Sequence, residues 1–346
     1  MHRWMLLLLI CLLGLPRFAQ AQGGTFDVFV RGAGDQLSLQ FLDARSGLGV
    51  LIPIVGERFT LIGSGVLFRA AESRAAQIAY PDGRVVLHPQ IPAENENTRA
   101  DWVVSANKQW LAWTLTTRSA RGTVSDLFLS QGEGEGLLML HTSSTQNLAL
   151  LPVGVSDDGS QIFYIRRENV FDELRPLQSL PIQGIMRFDV ASATATPIAD
   201  PPGCPCVAAV APQGEAILRL VPAAAGGFAL NFSDASGLTL RQSEPLDARA
   251  VIGGNIRFSP DGRRALYLLS SGGDRPRYVL GLAHQGIQQD QVVLDPAPEL
   301  LEVVHFTADG EAAVIIGLES GSTYKVNLSD GALSRISNDL YLGTLP

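Results

Sequence analysis

The stretch Phe258-Ser259-Pro260-Asp261-Gly262-Arg263-Arg264-Ala265-Leu266-Tyr267 contains the features that decide the fold. Phe258 ends one apolar segment, and Ala265-Leu266-Tyr267 belongs to the next. Between them, the serine hydroxyl can bind neighbouring backbone and proline sets φ at the first turn position. Aspartate caps the turn, and glycine accepts the positive φ that other residues resist. The stretch therefore predicts two β-strands joined by a tight turn.

Four degenerate copies of this turn occur elsewhere in the chain, each between apolar segments. The second residues of the five copies fall at positions 105, 156, 211, 259 and 307, which are 51, 55, 48 and 48 residues apart. The copy at 104–108 has neither the aspartate nor the glycine. Self-similarity at a period of about 50 residues is typical of repeat architectures. The four further copies are Val104–Lys108, Val155–Gly159, Val210–Gly214 and Phe306–Gly310.

A second hairpin follows each turn motif. In one repeat, Gly184–Val190 leads through Ala191-Ser192 into a segment from Thr194 to Ile198. Each repeat thus offers four short strands, which is the content of one β-propeller blade. Because a single blade cannot bury both of its faces, the blades are expected to pack around a common axis.

The motifs place the starts of five blades near residues 101, 150, 206, 254 and 301. Residues 57–90 can hold a further blade, and Thr25–Ile54 holds three more strands. The segment Asp339–Leu345 can supply the strand that this first blade lacks, and its pairing there would close the ring and remove an open edge. The sequence therefore predicts an all-β protein with a single β-propeller of seven four-stranded blades, with six or eight blades as alternatives.

The Phe258–Tyr267 stretch resembles the repeat of the TolB-like, WD40-like (PD40) β-propellers. The resemblance extends, at the level of fold, over most of the chain after its first 21 residues. It implies an architecture and no particular activity, because this repeat serves many unrelated roles.

The N-terminus has the layout of a bacterial secretory signal peptide. Basic Met1-His2-Arg3 precedes an apolar run, Trp4–Leu15, and Ala19-Gln20-Ala21 provides small residues before a cut. We expect cleavage after Ala21, a secreted or periplasmic protein, and a propeller domain over 22–346. A membrane anchor is the alternative, although the run is shorter than the ~20 residues that span a bilayer. A lipoprotein modified at Cys11 is a second alternative, but Ile10 is bulky where a lipobox has a small residue, and Cys11 lies too early in the apolar run.

The charge of the chain argues against one class of partner. The net charge is −8, and loss of Arg3 and Arg17 with the signal peptide makes it −10. Nucleic-acid binding needs clustered lysine and arginine. Lys108 and Lys325 are the only lysines and are far apart in sequence.

Cys204-Pro205-Cys206 contains the two cysteines that remain after signal cleavage. An oxidising compartment favours a disulfide that staples this loop. Free thiols, a strained redox pair and half of a metal site are the alternatives.

No catalytic, cofactor or metal site is predicted. The four histidines that remain after signal cleavage, at positions 88, 141, 284 and 305, show no metal-ligand spacing. Asp157, Asp158, Asp261 and Asp309 lie in turn motifs, where capping already explains a carboxylate.

An insert over Arg166–Gln183 interrupts one blade and contains a weak helical pattern around Glu173-Leu174. Long loops on a rigid ring are common places for binding residues, although they also tolerate neutral insertions. The residues proposed to contact a partner are Arg166, Arg167, Phe171, Asp172, Glu173 and Arg175.

The leading functional hypothesis is a non-catalytic binding or scaffold propeller for a protein, peptide or glycan partner of the cell envelope. The alternative is a propeller enzyme, lactonase-, lyase- or glycosidase-like, with a site in the central channel. Three or more histidine, aspartate or glutamate side chains meeting at one point in the channel would favour the enzyme.

Overall fold

The computed structural model describes residues 25–32, 36–168, 184–201, 207–287, 289–307 and 309–346. Within these ranges, 28 strands form seven four-stranded antiparallel sheets. The sheets are the seven blades of a β-propeller, which confirms the predicted fold class and blade number. The same ranges hold no helix long and apolar enough to cross a membrane.

The strands are numbered in chain order. Blade 1 contains β1 (Phe26–Arg31), β2 (Ser38–Asp43), β3 (Gly49–Pro53) and, from the end of the chain, β28 (Leu340–Leu345). Blade 2 contains β4 (Gly56–Ile62), β5 (Gly65–Ala70), β6 (Ala76–Ala79) and β7 (Val85–Leu87). Blade 3 contains β8 (Thr98–Val104), β9 (Trp110–Ser119), β10 (Gly122–Gln131) and β11 (Leu138–Thr145). Blade 4 contains β12 (Leu148–Val155), β13 (Gln161–Glu168), β14 (Met186–Asp189) and β15 (Thr194–Pro197).

The remaining three blades follow the same plan. Blade 5 contains β16 (Val207–Val210), β17 (Ala216–Pro222), β18 (Phe228–Asp234) and β19 (Thr239–Gln242). Blade 6 contains β20 (Ile252–Phe258), β21 (Arg264–Ser270), β22 (Tyr278–His284) and β23 (Gln291–Ala297). Blade 7 contains β24 (Leu301–Phe306), β25 (Ala312–Gly317), β26 (Thr323–Asn327) and β27 (Leu333–Ser337).

Ring closure is made by β28. It pairs antiparallel with β1, with Phe26 opposite Leu345 and Val30 opposite Leu340, so the order in blade 1 is β28-β1-β2-β3. The prediction that the C-terminal strand completes the first blade is therefore confirmed.

The turn motifs have the predicted chemistry. Ser259 Oγ donates to Asp261 Oδ1 at 2.5 Å, the Arg264 amide donates to Ser259 Oγ at 3.0 Å, and Gly262 has φ of +69°. The degenerate copy in blade 3 has the same conformation. There, Asn107 Oδ1 accepts from Ser105 Oγ at 2.6 Å and Lys108 takes the positive φ, +65°.

The core lies between neighbouring blades, as alternating strand residues require. Between blades 5 and 6, Leu218 and Phe232 pack with Phe258 and Tyr267. Phe232 and Phe258 meet edge to face with ring centroids 6.2 Å apart. The apolar residue that precedes the turn motif is thus a contact between blades.

All motif turns lie at one end of the ring, the motif face, because the inner strands run in the same direction. Strand β13 runs to the opposite face and ends at Glu168. Arg166 and Arg167 pair there with Leu150 and Ala149, so they belong to the strand and the insert begins after them. Residues 169–183 lie outside the described ranges.

Candidate functional site

The central channel is lined by the innermost strand of each blade: β28, β4, β8, β12, β16, β20 and β24. Five of these inner strands carry a register irregularity against the next strand, namely β4, β12, β20, β24 and β28. A β-bulge bends its strand and redirects side chains, and bulges are common beside functional sites. Register shifts also occur between outer strands of blades 3, 5, 6 and 7, but in the channel wall they can redirect side chains toward the axis.

Two bulges hold non-glycine residues at positive φ. Arg58 has φ of +59° and Asn255 has φ of +50°. Each side chain crosses to the inner strand of the next blade, where Arg58 donates to the Ala100 carbonyl at 2.8 Å and Asn255 to the Leu301 carbonyl at 2.7 Å. The strained backbone is thus associated with contacts that join neighbouring blades.

Five ionisable side chains come together toward the motif face, and we call them the channel cluster: Asp27, Lys108, Arg257, His305 and Tyr341. They come from blades 1, 3, 6 and 7. Arg257 is exposed although it lies on an innermost strand, and its Nε donates to the Val303 carbonyl at 3.3 Å. Lys108 Nζ donates to the Thr344 carbonyl at 2.5 Å, and burial lowers the pKa of its ammonium.

Asp27 is the hydrogen-bond acceptor of the cluster. Its Oδ1 accepts from Tyr341 Oη at 2.9 Å and from Thr344 Oγ1 at 3.0 Å. Burial, with the negative charge of Asp27, raises the pKa of Tyr341. The tyrosine is therefore a protonated donor at neutral pH, and it fastens β28 to β1.

Among the residues of the channel cluster, His305 has the least satisfied hydrogen-bonding groups. Its ring lies 5.5 Å from that of Tyr341, and Nδ1 is buried without a hydrogen-bond partner. Burial lowers the pKa of His305, the positive charges of Lys108 and Arg257 lower it further, and Asp27 opposes them. The imidazole is consequently neutral at pH 7. A neutral imidazole beside a guanidinium can accept a proton or hold a polar ligand.

A second charged group lies nearer the opposite face, between blades 2 and 3. Buried Glu94 accepts from Arg58 at 3.3 Å and from Arg69 at 2.5 Å, and its Oε1 also accepts the Ala100 amide at 3.1 Å. The Asp101 carboxylate accepts hydrogen bonds of 2.9 to 3.0 Å from the guanidinium of Arg99. These opposite charges neutralise one another, so the arrangement holds two blades together.

The sequence-based candidates occupy different parts of the molecule. His88, His141 and His284 are outside the channel cluster, and the described part of the chain has no group of three metal-ligating side chains. Asp158, Asp261 and Asp309 cap their turns as predicted. Phe171, Asp172, Glu173, Arg175, Cys204 and Cys206 lie outside the described residues.

Arg257 and His305 were not recognised as a pair from the sequence. Both precede the apolar residue of a turn motif, where the other copies have Val103, Gly154 and Ala209. A polar residue in that otherwise small or apolar position was the available signal. Asp27 and Tyr341 gave no such signal, because they meet only through ring closure.

Comparisons with known proteins show similarity of fold alone. No protein-family model matches the chain. No curated protein matches it either.

Solved structures do match. An oligogalacturonate lyase from Vibrio parahaemolyticus has a TM-score of 0.55 at 12% identity, with 92% of this chain and 86% of that chain covered. A periplasmic gluconolactonase from Pseudomonas aeruginosa has a TM-score of 0.51 at 13% identity, with 92% and 97% covered. TolB from Acinetobacter baumannii has a TM-score of 0.47 at 13% identity, with 92% and 81% covered. Propellers of different function are thus among the matches, and at these identities they show a shared fold only.

Proposed function

We propose that the protein is a non-catalytic β-propeller of the cell envelope, secreted or periplasmic, that binds a protein, peptide or glycan partner. The observation that carries this proposal is that most polar groups of the channel cluster form hydrogen bonds within the ring. Lys108 and Arg257 bind backbone carbonyls of other blades, and Tyr341 binds Asp27. These contacts stiffen the ring, and a stiff ring is a suitable support for binding loops.

The N-terminal signal pattern supports an envelope location. The gluconolactonase among the structural matches is described as periplasmic, which is compatible with that location. The segment 169–183, which follows the end of β13 in sequence, remains the proposed partner contact.

A second candidate function is catalysis in the channel. It is favoured by the buried Nδ1 of His305, which has no hydrogen-bond partner, and by Arg257, which keeps solvent exposure although burial lowers the pKa of its guanidinium. A lactone or a uronate would present a carbonyl or carboxylate to these groups.

Binding and turnover can be measured on the same purified protein. We expect saturable binding of residues 22–346 to one of three envelope fractions: sacculi, soluble glycans or detergent-extracted proteins. We expect no turnover of lactones or oligouronides. Deletion of 169–183 should remove the binding if that segment is the contact. Turnover that falls at least tenfold in a folded His305→Gln variant would replace the binding proposal with the enzymatic one.

A further inference from the structure

A groove on the motif face, between blades 2 and 3, is not part of the channel cluster. Its volume is about 340 Å³, at the small end of the range for small-molecule sites. We call it the Trp110 groove. Its lining residues are Gly63, Gln109, Trp110, Gln131, Gly132, Glu133 and Glu135.

The indole of Trp110 is held in place from the neighbouring blade. A Cβ atom placed on Gly159 would lie 2.5 Å from Cδ2 and Cε2 of the indole, so the turn of blade 4 rests directly on the ring. Trp110 is half-buried, packs against the core between blades 3 and 4, and is one of the residues that line the groove. A fixed aromatic side chain in the lining loses little conformational entropy when a ligand binds.

Glu133 is also fixed. Its Oε1 accepts from Ser64 Oγ at 2.6 Å and from the Ser64 amide at 3.1 Å, and its Oε2 accepts from Tyr80 Oη at 3.3 Å. Burial, with the negative charge of Glu133, raises the pKa of Tyr80 and keeps this donor protonated. The carboxylate thus has a defined position in the lining, and its Oε2 keeps capacity for a further hydrogen bond.

Three exposed side chains complete the lining: Gln109, Gln131 and Glu135. An amide both donates and accepts, and a carboxylate accepts, which together match hydroxyl groups that also do both. The apolar face of a pyranose ring can pack on the indole while its hydroxyls reach these groups. A simple cation would use the carboxylates and leave the amides without a role.

The charges of the lining select among saccharides. Two carboxylates face the groove and no lysine or arginine lines it. Lys108 is adjacent in sequence, but its ammonium binds the Thr344 carbonyl. A uronate would bring a third negative charge to a lining that has two carboxylates and no cation, and Arg84, which interacts with Glu133, lies outside that lining.

We propose that the Trp110 groove binds neutral saccharide units of an envelope glycan. This proposal rests on the binding function proposed above and assigns one partner class to one place on the ring. The ligand stacks on Trp110 and donates hydroxyl protons to Glu133 and Glu135.

Isothermal titration calorimetry tests the proposal with five probes. Three are neutral trimers (triacetylchitotriose, cellotriose and maltotriose), one is trigalacturonate, and one is tetramethylammonium chloride. We expect saturable millimolar or tighter binding of at least one neutral trimer and at least tenfold weaker binding of trigalacturonate. Trp110→Ala should weaken the neutral trimer at least tenfold. The control Met139→Ala changes an exposed side chain on the same blade and should leave binding unchanged.

Two further variants guard against misfolding. Glu135→Gln should bring the affinities for the neutral and acidic trimers closer together, and Glu135→Lys should reverse their order. The proposal is wrong if no neutral trimer binds, if binding survives Trp110→Ala, or if only tetramethylammonium binds. Should these trimers fail while binding to an envelope fraction persists in Trp110→Ala, the groove proposal falls and the binding function stands. Turnover dependent on His305 would instead remove the binding function.

Discussion

Asn107 occupies the fourth position of the turn motif, where three of the five copies have aspartate. Its Oδ1 caps the turn as an aspartate would, but its Nδ2 donates to the Asp157 carbonyl at 2.7 Å. Asp157 Oδ1 in turn accepts a hydrogen bond of 2.8 Å from the backbone N–H of Asn107. The side-chain amide at position 107 therefore makes a contact to the next blade that a carboxylate cannot make.

We predict that Asn107→Asp destabilises the protein, although it restores the motif. The change removes one hydrogen bond and places a second carboxylate beside Asp157, whose pKa burial already raises. The expected loss is about 1–2 kcal/mol in the free energy of unfolding at pH 7, measured by urea denaturation. The loss should shrink when both carboxylates are protonated at low pH.

Asn97→Asp is the matched control, since it adds the same charge at an exposed site in the strand connection before β8. If Asn107→Asp proved more stable than the wild type, the contact to Asp157 would have no energetic role.

The connection from β7 to β8, residues 88–97, is an element without regular structure that is nevertheless buried at several points. His88 is 4% exposed, and its Nδ1 accepts the amides of Gln90 at 3.3 Å and Ile91 at 3.1 Å. Glu94, which is also buried, holds the connection in place through the ion pairs described above. The connection is therefore shaped by polar side chains that act as internal caps.

We predict that this connection makes stability depend on pH. Burial lowers the pKa of His88 from 6.5 to about 4. Between these values the unfolded chain binds the proton more strongly, so the free energy of unfolding falls as pH falls from 6.5 to 4. The part of this fall that is due to His88 reaches about 3 kcal/mol in the free energy of unfolding.

His88→Asn should remove that part of the slope, because an amide oxygen can accept the same two backbone protons without titrating. Thermal and urea unfolding between pH 8 and pH 4 measure it. The matched control is His141→Asn, which makes the same substitution on the outer strand of blade 3, away from this connection. Equal slopes in all three proteins would mean that His88 is accessible to protons in the folded state.

Elements also differ in how far the sequence predicts them. The turn of Ser259, Asp261 and Gly262 is local, so its hydrogen bonds follow from neighbouring residues and were predicted correctly. The bulges at Arg58 and Asn255 depend on carbonyls of the next blade. No local pattern marks them, and they are the elements that shape the channel.

At the scale of the molecule, seven blades and closure by β28 followed from counting strands, because blade 1 lacked one strand and Asp339–Leu345 was left over. The channel cluster could not be predicted by counting strands in this way. Asp27 and Tyr341 lie at opposite ends of the described chain and become neighbours only when the ring closes. Arg257 and His305 were accessible through a comparison of the motif copies with one another.

We predict that deletion of residues 340–346 opens the ring. The deletion removes the β1 pairing together with buried Tyr341 and Leu345. Loss of these two side chains alone corresponds to about 3–5 kcal/mol. Thermal unfolding and limited proteolysis should show a lower Tm and faster cleavage, whereas deletion of exposed Pro346 alone should change neither.

A synthetic peptide covering 339–346 should raise the Tm of the truncated protein, because it can pair with the free edge of β1. If truncation left the Tm unchanged, closure by β28 would contribute nothing to stability.

The pairing of β28 with β1 also sets an order of events in biosynthesis. Synthesis proceeds from the amino end, so β1 waits with one edge unpaired while the other strands are made and blades 2 to 7 assemble. An unpaired edge is a place where foreign strands add and proteases bind. Within one chain, β28 is the strand that covers that edge. A chain that ends before β28 is therefore expected to keep the edge of β1 exposed.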